Sequence, residues 1–376
     1  MMKTAPVDIS IAMTTYNGAT HLQEQLDSLA AQHLLPAELV IGDDGSTDDT
    51  LNILDRFARN APFPVHIHRN PQRLGYRANF MNVARLCKSP LISFCDQDDI
   101  WLPENLARIV PCFADPDVLL TFHNARVVDA HRQPISRFYA EPLPPVSRRL
   151  TLSPWMFSYG FAQTFRNDLL PAVDLWGMMK DHHHADEAMG HDLFFFLLAS
   201  GLGSICYIDD ELTEYRLHAG NTIGSGKRTK PGFLDRWRYR LEDRSDTYRY
   251  LARIALLDAE LFAHLSAVDT LAPHLRQRSA EAATAWSDLG PLYRDRAQVC
   301  SAGLPARIAA FIRLYRKGAY SEASFWTFGA KAMTKDLVLG VTLAPLVQRF
   351  GRASSRSDRA CRRGRNHTML AGTSAS

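Results

Sequence analysis

The chain has 376 residues, 46% apolar and 22% charged, the balance of a folded protein large enough for one α/β domain with an appendage, or for two domains. A net charge of +3 is too small to point to nucleic acid, and six scattered cysteines without a close pair argue against a zinc site or a disulfide scaffold. No apolar run reaches the length of a membrane span, and the one near the start is too brief for a secretory signal, so a cytoplasmic location is expected, with peripheral membrane contact left open.

Val7 to Thr14 reads as a strand, and Thr20 to Gln32 carries Leu22, Leu26 and Leu29 at helical spacing. Leu39 to Gly42 reads as a second strand, with Leu51, Leu54 and Ala58 marking the helix after it. Val65 to His68 and Leu91 to Cys95 are the third and fourth strands, followed by helices over 78–87 (between them) and 103–113. This alternation predicts an α/β fold with a mostly parallel sheet flanked by helices, and ligands in such sheets bind beyond the carboxyl ends of the strands. The loops after Thr14, Gly42 and Cys95 all fall at that edge.

Val118 to Val128 reads as a further strand, 132–154 as a surface loop, 160–166 as extended with a short helix from Asn167, and 187–200 as a strongly apolar helix. Two short strands, 205–208 and 212–217, precede a Gly, Thr, Ser and Lys-rich boundary at 220–231. The expected organisation is a catalytic domain over 1–225, a helical region over 226–346, with a helix over 233–264, and a basic tail over 347–376. In that tail Arg349, Arg352, Arg356, Arg359, Arg362, Arg363 and Arg365 stand against Asp358, which suits either a solvated disordered segment or contact with anionic lipid. Arg307 to Lys317 places Ile308, Phe311, Ile312 and Tyr315 on one face among basic residues, as a core-packing helix with a basic solvent face does, and as a bilayer-interface helix does.

The stretch FCDQDDIW, Phe94 to Trp101, gathers Asp96, Asp98 and Asp99 at the end of a buried strand. Clustered carboxylates repel one another and lose hydration, and a hard divalent ion such as Mg²⁺ or Mn²⁺ relieves both. The competing reading is an exposed acidic loop; Asp99 itself is read as the cap of the helix that follows, which leaves Asp96 and Asp98 as the pair for the ion. IGDDGSTDDT offers Asp43 and Asp44 as acceptors for a base imide or a ribose hydroxyl, whereas Asp48 and Asp49 read as a capped helix start. The run His182, His183, His184 reads as solvated, and Trp101 suits either stacking on a sugar ring or core packing.

TTYNG (14–18), DDGSTD (43–48), NPQRLGYRAN (70–79) and CDQDDIW (95–101) resemble, in that order, the donor half of inverting family 2 glycosyltransferases of the GT-A, Rossmann-like fold. The resemblance covers Val7 to Ser225. It implies a nucleoside pocket lined by Thr15, Tyr16, Asp43 and Asp44, Gly75 and Asn79 near the donor, and Asp96 and Asp98 as the metal and diphosphate motif. The segment 190–222, with an HD pair opening an apolar helix and a YRxHxxN pattern at Tyr215 to Asn221, resembles bacterial rhamnosyltransferases that build surface polysaccharides. By that likeness Asp192 is the general base, Arg216 pairs with the donor diphosphate, and His218 completes the metal shell or contacts a phosphate. His191 stands where an acid is common in the wider family. The implied reaction is metal-dependent inverting transfer of a sugar, L-rhamnose from dTDP-L-rhamnose or a hexose from a UDP donor, to a saccharide acceptor of surface polysaccharide or O-antigen, a lipid-linked one included. A transferase-like scaffold without activity is the rival from another class.

Overall fold

The computed structural model describes residues 8–182, 184, 186–218, 244–322 and 324–342. The expected boundary at 220–231, the start of the expected helix over 233–264 and the basic tail lie outside the described residues. In chain order come β1 (Ile9–Thr15), α1 (Leu22–Ala30), β2 (Glu38–Asp43), α2 (Thr50–Asn60), β3 (Val65–Arg69), α3 (Tyr76–Leu86), β4 (Leu91–Cys95), β5 (Ile100–Trp101) and α4 (Asn105–Ile109). Then follow β6 (Val118–Val128), β7 (Pro134–Arg137), β8 (Val146–Ser147), β9 (Gln163–Arg166), α5 (His191–Leu202) and β10 (Ser204–Arg216), with α6 (Ser245–Leu265), α7 (Pro273–Ser301), α8 (Leu304–Arg316) and α9 (Gly329–Lys335) after them.

The sheet runs β3-β2-β1-β4-β9-β6-β10-β5, with β7 on β6 and β8 on β10. Its first four strands are parallel, joined by helical crossovers, so their carboxyl ends open on one edge. Antiparallel β9 then separates β4 from β6, and β6 and β10 are again parallel, which makes the whole a mixed α/β sheet flanked by helices. The two short strands expected over 205–217 are one strand. β10 passes through a bulge opposite β6 between Ile208 and Glu211, and there Asp209 and Asp210 break the apolar run.

Two apolar layers hold the sheet. Leu22, Leu26 and Leu54 of α1 and α2 pack on Ile11 and Ile41, and Trp101 is buried in that layer, which makes it a core residue. The opposite layer runs from Phe94 and Phe165 of the sheet through Phe195 of α5 to Phe262 and Trp286 of α6 and α7. Gly201 of α5 lies so near α6 that a Cβ there would sit 2.4 Å from the Phe262 ring. Polar ties cross the same seam: Trp155 Nε1 donates to the Tyr293 hydroxyl at 2.5 Å, and Arg278 pairs with Asp117 at 2.6 Å.

Candidate active site

Strand register creates the first half of the site. β1 ends at Thr15 directly opposite Asp43 of β2, and Thr15 Oγ1 donates to Asp43 Oδ2 at 2.9 Å. Asp43 also accepts from the Gly45 and Ser46 amides at 3.2 and 3.0 Å and from the Ser46 hydroxyl at 2.5 Å. Asp44 accepts from the Leu74 amide at 2.7 Å, the Gly75 amide at 2.8 Å and Asn70 Nδ2 at 3.1 Å. Gly75 presents its amide at a φ of +80°, a conformation that strongly favours glycine. Buried Asn79 donates to the Gly42 carbonyl at 2.7 Å and accepts from Asn70 at 2.9 Å. Thr15, Asp43, Asp44, Gly75 and Asn79 are therefore brought into one network, in which both carboxylates spend most of their acceptor capacity on shaping the loops.

Tyr16 projects outward with the Arg73 guanidinium 3.8 Å above its ring. Its backbone is bracketed by Gln97, whose side chain accepts from the Tyr16 amide at 2.9 Å and donates to the Tyr16 carbonyl at 3.2 Å. Gln97 thus ties the loop after β1 to the acidic loop. Sequence reasoning passed over it because an amide between aspartates carries no charge signal, and Arg73 because a lone loop arginine carries no spacing.

The acidic loop is crowded. Burial, then the charges of Asp98 and Asp192, push the Asp96 carboxyl up to about 8. Asp98 Oδ2 lies 2.9 Å from His218 Nε2, and the His218 ring lies tilted against His21, with centroids 4.8 Å apart. Asp99 is not the helix cap expected for it. It is buried, its Oδ1 accepts from the Arg216 amide at 3.1 Å, its Oδ2 has no hydrogen-bond partner among the described residues, and α4 begins only at Asn105. Burial raises its carboxyl well above the usual range, with Asp98 and Asp96 adding to the effect. The Arg216 guanidinium, expected to face a diphosphate, pairs with Glu24 of α1 and holds the Glu24 carboxyl down.

Among the described residues no three His, Cys, Asp or Glu side chains converge as a finished metal centre. The carboxyls of Asp96 and Asp98 nevertheless fit a hard divalent cation: they supply oxygen ligands, and the charge of Asp98 raises the Asp96 and Asp99 carboxyls, a repulsion that a cation would relieve.

α5 starts at His191, four residues later than its apolar pattern suggests, because Lys180 and Ala188 form a bridge and the Asp181 amide binds the Glu187 carbonyl. Asp192 therefore sits in the first turn, where the helix N-terminus favours a carboxylate and the Leu193 amide reaches its Oδ1 at 2.9 Å. Burial outweighs these contacts and the Gly160 amide, and lifts the carboxyl to about 6. Asp192 in turn raises Asp96, so the two acids share one electrostatic pocket. His191 is packed instead as an aromatic: its ring stacks on Phe80 at 4.0 Å, and burial lowers its pKa to about 3, so it is a neutral core residue.

The expectation of a solvated histidine run is corrected for His182. It is buried, with Nε2 3.1 Å from Asp258 Oδ2 of α6, against Trp155. Its neighbour Asp181 lies 3.9 Å from Arg77, which also binds Glu187 at 2.5 Å, so α3 grips the segment that leads into α5.

Residues 10–182 match the model of glycosyl transferase family 2. That likeness to family 2 glycosyl transferases covers just under half of the chain. An uncharacterized glycosyltransferase of Nostoc is 28% identical over 222 residues, 57% of this chain and 66% of the relative. A dTDP-rhamnosyl transferase of Shigella flexneri is 27% identical over 231 residues, 57% of this chain and 74% of the relative. The crystal structure of residues 1–349 of S. aureus TarS with UDP-GlcNAc superposes with a TM-score of 0.45 at 18% identity, covering 84% of this chain and 93% of that one, a likeness too low to bear on the donor.

Proposed function

We propose that this glycosyltransferase moves a sugar from a nucleotide-sugar donor to a saccharide hydroxyl in a single displacement with inversion. The observation that carries the reading is Asp192, a carboxyl near neutral acid strength, fixed on a rigid helix in the same electrostatic pocket as Asp96. A general base works best with a pKa close to the working pH.

On this reading the loops built by Thr15, Tyr16, Asp43, Asp44, Gly75 and Asn79 receive the nucleoside, and Asp96, Asp98 and His218 would hold Mg²⁺ or Mn²⁺. The ion, when bound, supplies Lewis-acid neutralisation of the diphosphate. Arg216 reaches a diphosphate by exchanging its present partner Glu24. The acceptor oxygen attacks the anomeric carbon and gives its proton to Asp192, while the bond from that carbon to the diphosphate oxygen breaks and the nucleoside diphosphate departs. The donor proposed first is dTDP-L-rhamnose, supported by the likeness to the Shigella dTDP-rhamnosyl transferase and by the HD and YRxHxxN segments; a UDP-hexose comes second. The acceptor proposed is a saccharide of a surface polysaccharide.

The test pairs turnover with binding. Asp192→Asn should lower transfer by about 10²–10⁴-fold, the usual worth of a positioned base, while the thermal shift given by the donor with Mn²⁺ persists. Equal loss of both would remove Asp192 from the base role. No shift with any nucleotide sugar, with or without Mn²⁺, would favour the inactive scaffold.

A further inference from the structure

Leu304, Ile308, Ile312 and Tyr315 recur on α8 at steps of four, four and three residues, so they share one side of the helix. They are 55%, 42%, 41% and 64% exposed. The opposite side is spent on packing, with Ala310 and Leu314 fully buried against Val299 and Tyr320. The outward row is therefore not slack in a poorly packed helix. It is an apolar stripe ending in an aromatic residue, on an element already anchored by its other face. The neighbouring turn Asp336–Thr342 packs against this part of the molecule and exposes Leu337 and Val338 as well.

Charge decides what covers the stripe. From Leu304 onward the sequence holds thirteen Lys and Arg against three Asp and Glu, so this last fifth of the chain carries ten positive charges in excess while the remainder is net acidic. Within the described part, Arg316 and Lys331 are exposed and form no ion pair with a described residue, and Arg313 and Lys317 share the single acid Asp295. A second copy of the same basic face would repel this one in a two-fold contact, whereas a layer of anionic headgroups matches it. Among the described residues no helix is long and apolar enough to cross a bilayer, so the fit is to a surface.

We propose that α8 is a membrane-docking face: its apolar row enters the headgroup boundary of an anionic bilayer, and the exposed basic residues around it, Arg313, Arg316, Lys317 and Lys331, bind the charged lipid. The inference does not depend on the glycosyl transfer reading, since it rests on a face remote in sequence from every residue assigned to that chemistry.

The experiment is co-sedimentation of the full chain with vesicles of phosphatidylcholine alone and of phosphatidylcholine with 30% phosphatidylglycerol. Binding is expected to the anionic vesicles only, and to fall about fivefold for each basic residue neutralised, as in Arg316→Gln and Lys331→Gln, and on raising the salt. Ile308→Asp with Ile312→Asp should abolish it while the circular dichroism spectrum and melting temperature stay those of the parent, since both side chains already face water. Failure of the parent to bind anionic vesicles, equal binding of the Asp variant, or a concentration-dependent dimer that this variant dissolves would each overturn the proposal. Donor-induced thermal shifts in the same variants report on the glycosyltransferase reading separately.

Discussion

Asp192 is held between opposing influences, and their balance sets a pH dependence. The first turn of α5, the Leu193 amide and the Gly160 amide favour the carboxylate, while burial and the charge of Asp181 disfavour it, and the net result is a pKa of about 6 against an ordinary 3.8. In the proposed base role Asp192 works only when ionised. kcat/KM should therefore fall tenfold per pH unit below about 6, and a profile flat down to pH 4.5 would remove the assignment. The same shift has a stability consequence of opposite sign. Between about 4 and 6 the folded chain keeps a proton that the unfolded chain has lost, so Asp192 weakens the fold as pH rises through that window and holds the full penalty above it. Asp192→Asn should therefore raise the melting temperature at pH 8, by at most about 3 kcal/mol in stability, and the gain should vanish near pH 4. A gain independent of pH would mean that the charge is not its source. Asp192 was legible in the sequence through the HD pair. Its acid strength was not, because burial and the amide partners arise only when β9, the 160–162 turn and α5 meet.

His182 shows how an element can be read correctly and its neighbour misread. Strands and helices over 9–113 follow their periodic patterns closely, since each buries one face against the same sheet. The histidine run has no periodicity, and its partner Asp258 is 76 residues away on α6. Both side chains are fully buried, where Asp258 is raised by burial and lowered by the histidine. His182→Ala would leave that buried carboxyl without its partner, and stranding a buried hydrogen-bonding group costs about 1–3 kcal/mol. Urea unfolding should show the midpoint dropping accordingly, with most of the loss recovered by adding Asp258→Asn, which removes the stranded carboxyl. If the double variant is no more stable than the single one, the pair is not the link between the segment before α5 and α6. The start of α5 was misjudged for a related reason: Glu187 to Gly190 carry no helix breaker before Gly190, and only the bridge to Lys180 shows that they are spoken for.

At the scale of the molecule, the helical region and the sheet share one apolar layer. Sequence patterns give the helices after Ser245 apolar faces, but an apolar face does not name its partner; the shared layer does. Phe262 and Trp286 belong to the same apolar cluster as Phe94 and Phe165, Phe262 meets Gly201 of α5, and the Trp155 to Tyr293 hydrogen bond and the Arg149 to Glu281 pair close the seam. A continuous layer of this kind transmits the loss of any part to the rest. Unfolding should then be a single transition, with the calorimetric enthalpy equal to the van't Hoff enthalpy, and with far-ultraviolet and near-ultraviolet circular dichroism changing together. Trp286→Ala removes the largest fully buried side chain of the layer and should cost about 3–5 kcal/mol. The decisive point is what that loss moves. In one unit the Mn²⁺-dependent shift produced by a donor at the sheet edge should ride on the lowered melting temperature of the Trp286→Ala chain, as one displaced transition. Two separable transitions, with only the donor-independent one lowered, would show that the helices are a module resting on the sheet.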